Sequence, residues 1–130
     1  MKEIVDLVSS LSCFQNPTDI IPINGGITNV NVGVTNNNKK YVVRIGKDIP
    51  EHGVMRWNEL ALSEAAQKLG ISPGVVHCEP GILVLEFIDA RTFEEADIRE
   101  ASNLIRVINL VAKTHRGLGK HLNSPVLTFW

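Results

Sequence analysis

Two features of this sequence could bind an anion, and a third could orient one of them. The first is the run Asn24-Gly25-Gly26-Ile27-Thr28-Asn29, which continues into Val30-Asn31. Glycine lets a backbone approach an anion closely, and Thr28, Asn29 and Asn31 add side-chain donors. The run contains neither the Gly-x-Gly-x-x-Gly dinucleotide fingerprint nor the Gly-Lys-Ser/Thr of a P-loop. Taken alone, a hairpin with a Gly-Gly turn is the better account of it. The second feature is Arg44, inside the apolar strand Tyr41-Val42-Val43-Arg44-Ile45. Tyr41, Val43 and Ile45 share one face; Val42 and Arg44 share the other. An interior arginine must reach a partner or water. It can snorkel to the surface, or its planar guanidinium can bind two phosphate oxygens at once.

The third feature is Glu59. Met55, Leu62, Ala66 and Leu69 form an apolar stripe at helical spacing, and Glu59 falls on its edge. A carboxylate there needs a cation. Arg44 on the preceding strand is one candidate, and Arg56, three residues back on the same helix, is the other. Spacing alone favours neither. A further segment, Leu83-Val84-Leu85-Glu86-Phe87-Ile88, ends a strand and leads toward a helix. A buried strand end accounts for it by itself.

The remaining reactive side chains are quickly placed. His77-Cys78-Glu79 resembles the His-x-Glu of zinc deaminases, but no Pro-Cys-x-x-Cys follows. His115 falls on the apolar face of a helix, where a packed or capping role is expected; His52 and His121 lie in polar segments. The sequence has no His-Glu-x-x-His, no Gly-x-Ser-x-Gly and no metal-ligand spacing. Cys13 and Cys78 are read as free thiols in a reducing compartment.

The elements that must position these residues follow from pattern. Residues 2–13 predict a helix buried through Ile4, Val5, Leu7, Val8 and Leu11, ended by Pro17. Ile20 to Ile23 predicts a strand, placed at an edge by Pro22. Val30, Val32 and Val34 alternate with Asn31, Gly33 and Thr35 as a second strand. Asn36-Asn37-Asn38-Lys39 is its hairpin turn, because asparagine tolerates positive φ. A third strand runs over 40–45, and a helix over 54–69 stops at Gly70. Two strands over 75–77 and 82–88 flank Glu79-Pro80-Gly81. Thr92-Phe93-Glu94-Glu95 has the form of a capping box. One long helix follows, with Leu104, Ile108, Val111 and His115 on one face, ended by Gly117 and Gly119. The sum is an α+β fold: a five-stranded antiparallel sheet with one inserted helix, then further helices.

At 130 residues the chain is long enough for one real core. A hydrophobic fraction of 44% and a charged fraction of 21% are ordinary for a globular domain. The net charge of −1, with acids and bases interspersed, predicts no nucleic-acid footprint and no membrane binding. Glu3 and Asp6 break the amphipathic N-terminus, so no signal peptide is read there, and the cytoplasm is the expected location. The apolar tail, Val126, Leu127, Phe129 and Trp130, predicts a covering surface from a second lobe or an oligomer partner.

Each signal is weak alone, but their order is informative. Gly25-Gly26-Ile27-Thr28-Asn29, then Val42-Val43-Arg44-Ile45, then Glu59, then Leu83 to Ile88 resembles the choline/ethanolamine kinase branch of the aminoglycoside-phosphotransferase-like superfamily. The likeness spans roughly residues 20–116 and points toward bacterial choline kinases of the lipopolysaccharide-modification type. It implies a kinase-like N-terminal lobe over residues 1–88, and a hinge with the start of a helical C-terminal lobe over 89–130. It also implies ATP with Mg²⁺ and a small alcohol or amino-alcohol acceptor. By this resemblance Gly25, Gly26, Thr28 and Asn29 hold phosphates, Arg44 contacts the α/β-phosphates and Glu59 orients Arg44. Glu86 and Ile88 meet adenine through their backbones.

The same family uses a His-x-Asp-x-x-x-x-Asn loop and a later Asp for the metal. No histidine here is followed two residues later by aspartate. The resemblance therefore implies no catalytic residue and no metal ligand in this chain, and no turnover by it alone. Two further readings stand beside this one. The chain could be a non-catalytic protein that binds nucleotide or a partner, or a related kinase for an aminoglycoside, homoserine or thiamine.

Overall fold

Side-chain alternation along two adjacent strands decides the architecture. Val32 and Val34 on β2 (Val30–Asn36), with Tyr41, Val43 and Ile45 on β3 (Lys39–Ile45), point to one side of the sheet. Ile82 and Val84 on β5 (Ile82–Glu86) join them. Against this face pack Val8, Leu11 and Phe14 from the N-terminal segment. Val8, Val32, Val43 and Val84 are fully buried, and each contributes about 1.5–3 kcal/mol of transfer free energy. The Phe14 and Tyr41 rings meet at 5.4 Å between centroids. The computed structural model describes residues 1–23 and 29–126.

The sheet has five antiparallel strands in the order β1-β2-β3-β5-β4, with β1 Pro17–Ile23 and β4 Val75–Glu79 at its edges. Asn37 and Asn38 carry φ of 51° and 62°, the left-handed pair that a two-residue hairpin needs. β1 starts three residues earlier than the sequence suggests. Its register shifts between Thr18 and Ile21, with Asp19 at φ 49°, so the bulge hides the period of two. β5 ends at Glu86, and Phe87 and Ile88 beyond it are exposed.

α1 covers Lys2–Ser9, shorter than predicted. The Ser10 hydroxyl donates to the Leu7 carbonyl at 2.7 Å where the helix stops. Leu11 and Phe14 reach the core from the turn that follows, while Leu7 stays exposed. α2 covers Arg56–Leu69 on the opposite side of the sheet, the side of Leu83 and Leu85, and closes on Gly70 at φ 72° as expected. It starts two residues late because Val54 is bridged to Ile49.

The single long helix expected after Thr92 is two helices. α3 (Glu95–Arg99) and α4 (Ala101–Gly117) are separated by Glu100 in an extended conformation. The capping box uses Glu94 and Asp97, two residues later than the expected Thr92 and Glu95. α4 is apolar but open: Ile105 is 60% exposed and Ile108 55%. His115 is exposed too, so the packed role expected for it does not hold. The tail residues Leu127, Phe129 and Trp130 lie outside the described residues. Among the described residues no helix is long and apolar enough to cross a membrane, and Cys13 and Cys78 are free thiols.

One buried polar side chain ties the N-terminal segment to the sheet. Asn36 is 6% exposed, and its Oδ1 accepts the N–H groups of Gln15 at 3.0 Å and Asn16 at 3.1 Å. Asn36→Ala is expected to cost about 1–2 kcal/mol in urea denaturation. An unchanged midpoint would mean that water replaces both bonds without loss.

Candidate functional site

The second face of the sheet carries the polar groups. Arg44 lies between Asn31 of β2 and Leu83 of β5 in register, so its side chain points away from the α1 core. Glu59 stands in the first turn of α2. Arg44 Nη1 donates to Glu59 Oε1 at 2.6 Å. Arg56 Nη1 donates to Glu59 Oε2 at 2.5 Å. The two pairings that spacing offered as alternatives therefore coexist, because a carboxylate has two oxygens.

Local chemistry holds α2 in this position. Asp48 Oδ1 accepts the Arg56 N–H at 2.7 Å, capping the helix. The Lys47 carbonyl accepts from Arg56 Nε at 3.0 Å and Nη2 at 2.9 Å. Gly46 gives this arrangement room. A Cβ there would collide with Asn29 Oδ1 and come within 3.0 Å of the Arg56 guanidinium. At the other end, Gln67 Oε1 accepts the Val75 N–H at 2.8 Å.

Arg44 opens onto a cleft of about 620 Å³, within the size range of small-molecule sites. Ile23, Val42 and Leu85 give it apolar walls, and Pro73, Glu86, Phe87 and Ile88 line its far end. There the Glu86 N–H is taken by the Gly74 carbonyl at 2.9 Å, and the Phe87 N–H by the Lys40 carbonyl at 3.2 Å. Among the described residues no hydrogen bond takes up the Ile88 N–H. Lys40 Nζ also sits 5.6 Å over the Phe87 ring. Arg44 Nε is shielded from solvent, and among the described residues it has no hydrogen-bond partner.

Cys78 lies close to the same cluster. Burial raises its thiol pKa, and the charges of Glu64, Glu59 and Glu79 raise it further. It stays protonated at neutral pH and is a poor nucleophile.

The structure thus brings Arg44, Glu86 and Ile88 to one cleft, with Glu59 reaching it only through its bond to Arg44. Asn29 borders a neighbouring hollow beside Gly46, Lys47 and Ile82 instead. Gly25, Gly26 and Thr28 lie outside the described residues. Sequence reasoning treated Arg56 as a rival for Glu59 and missed it as part of the cluster. No local pattern signals it, because the Asp48 carboxylate that fixes the Arg56 N–H lies eight residues away, outside any capping spacing.

No family model matches the chain, and no curated protein matches it in sequence. In structure it is similar to an ethanolamine kinase from Plasmodium vivax, with a TM-score of 0.65 at 19% identity. The match covers 78% of this chain and 26% of that one. The fold is that of a kinase-like N-terminal lobe. At this identity the likeness speaks for the fold alone.

The segment that leaves the lobe is clamped. Arg91 donates through Nη1 and Nη2 to Asp97 Oδ2 at 2.5 Å and Oδ1 at 2.7 Å. The Glu94 N–H adds a third bond to the same carboxylate at 2.7 Å. The Arg91 hydrogen bonds, then the Glu94 N–H, lower the Asp97 pKa from 3.8 to about 2. A depressed pKa means the clamp contributes fully above the unfolded value of 3.8 and is lost as pH falls through about 2. A carbon-13 titration is expected to show Asp97 still ionised at pH 3 (roughly one unit above its folded pKa), with Arg91→Ala returning it to the ordinary range. Ordinary titration in the unsubstituted chain would refute the clamp.

Proposed function

We propose that this chain is the nucleotide-binding lobe of an ATP-dependent small-molecule phosphotransferase of the choline/ethanolamine kinase type. One observation carries the reading. A paired arginine stands at one end of an apolar cleft, and a strand exit with an open backbone N–H stands at the other. The Arg44 side chain, a third exposed and lining the cleft, fits an anion there, and Ile23, Val42 and Leu85 suit a flat, apolar ring. In this reading Arg44 binds phosphate oxygens, Glu59 holds its orientation, and the Glu86 and Ile88 backbones meet adenine. Gly25, Gly26, Thr28 and Asn29 supply the phosphate loop.

Residues 1–88 form the lobe in this proposal, and 89–130 form the hinge and the start of a helical second lobe. The open apolar face of α4 supports that division, because such a face suits further protein. Among the described residues no group of three or more His, Cys, Asp or Glu could hold a metal. Mg²⁺ would supply charge neutralisation on the phosphates, and its ligands are assigned to the second lobe. The chain alone would then bind nucleotide without turning it over, in the cytoplasm. The acceptor is proposed to be an amino alcohol; an aminoglycoside, homoserine or thiamine are the alternatives an acceptor panel would separate.

The test is nucleotide binding by calorimetry. Arg44→Ala is expected to weaken ATP binding about tenfold or more, with adenosine affinity unchanged. The fold should persist, since Glu59 keeps Arg56. Equal ATP affinity in both proteins would sink the reading. Joined to its catalytic lobe, the protein should phosphorylate choline or ethanolamine with MgATP. An intact, folded two-lobed form that is inactive on the whole panel would refute the kinase assignment.

A further inference from the structure

Arg56 is built into the cluster more firmly than Arg44. Its side chain is 16% exposed against 33% for Arg44. Its guanidinium donates to both the Glu59 carboxylate and the Lys47 carbonyl, and its backbone N–H is fixed by Asp48. Gly46 leaves the space the guanidinium occupies. A surface pair at i,i+3 needs none of these bonds.

An arginine and a carboxylate left to themselves tend to pair through two parallel hydrogen bonds. Arg44 does not. It reaches Glu59 through Nη1 only, and among the described residues its Nε has no partner. The second carboxylate oxygen is held by Arg56. We propose that Arg56 is a positioning residue for phosphate binding. By holding Glu59 Oε2 it fixes the rotation of the carboxylate, so that Arg44 meets it through Nη1 alone and keeps its guanidinium turned toward the cleft. The proposal rests on the nucleotide reading above. Without Arg56, Glu59 is free to rotate into a two-bond pair that draws the Arg44 guanidinium away from an anion in the cleft. Charge points the same way: two guanidinium groups share one carboxylate, so the bonded trio carries an excess positive charge.

The test compares ATP and adenosine affinities by calorimetry in the 130-residue chain, with Arg44→Ala, Arg56→Gln and Arg56→Lys beside it. Arg56→Gln is expected to lower the ATP-to-adenosine affinity ratio about tenfold, with adenosine binding unchanged. Arg56→Lys can still fill Oε2 and should keep the ratio within about threefold of the original. A merely structural role would lower both affinities together and leave the ratio alone. Nitrogen-15 NMR gives a second readout: the Arg44 Nε–H proton should move downfield in Arg56→Gln, where it pairs, relative to the original chain. If Arg44→Ala loses the ratio and Arg56→Gln keeps it, the positioning role is overturned and the nucleotide reading stands. If Arg44→Ala keeps it, the nucleotide reading falls, and this proposal with it. Should Arg56→Gln fail to fold, Arg56→Lys decides: a loss as large as that of Arg44→Ala overturns the proposal.

Discussion

A single carboxylate between two guanidinium groups organises the second face of this sheet. Glu59 receives Arg44 from β3 and Arg56 from its own helix. Through that contact the position of α2, the aim of Arg44 and the path of the loop over Lys47 and Asp48 become one problem. Moving the helix would strand a charge in a partly buried place, which costs more than losing an ordinary hydrogen bond. The geometry of the cleft wall is therefore set by electrostatics more than by apolar packing.

The two faces are stabilised in different ways. The α1 side is a dry core of Val8, Val32, Val43 and Val84 with the Phe14 and Tyr41 rings beside it. On the other side Ala65, Leu83 and Leu85 are buried, while Met55, Leu62, Ala66 and Leu69 are only half-buried. α2 is also held there by directed bonds, through Asp48, Glu59 and Gln67. An element fastened partly by polar bonds opens more easily than the dry core it borders.

What could be read in the sequence was local. The period of two in Val30-Asn31-Val32-Gly33-Val34, the asparagine turn and the Gly70 stop all act within a few residues, and the sheet, its hairpin and the end of α2 follow from them. The placement of Arg44 opposite Val43 was equally legible. The failures have longer-range causes. Nothing near Glu100 breaks a helix; the break accompanies Arg91 and Glu94 converging on Asp97. Phe87 and Ile88 continue an apolar run, but β5 ends at Glu86, and of the two only the Phe87 N–H is still held by β3. Leu11 is buried from a turn, so its helical spacing to Val8 was coincidence. Arg56 was misjudged because a pattern assigns one partner to each charge, whereas the carboxylate accepted two.

β3 divides its labour residue by residue. Tyr41, Val43 and Ile45 belong to the core, while Val42 and Arg44 belong to the cleft. Substitution at odd positions trades in folding and substitution at even ones in recognition, with little leakage between them. A lineage could retune what this cleft accepts without eroding the core, and could drift in the core without altering the cleft. A one-residue slip of β3 against its neighbours is the exception. It would exchange the two sets, sending a guanidinium into the dry side and a valine to the ligand. The short asparagine turn, which helps fix that register, is thus tied to the core and the cleft at once.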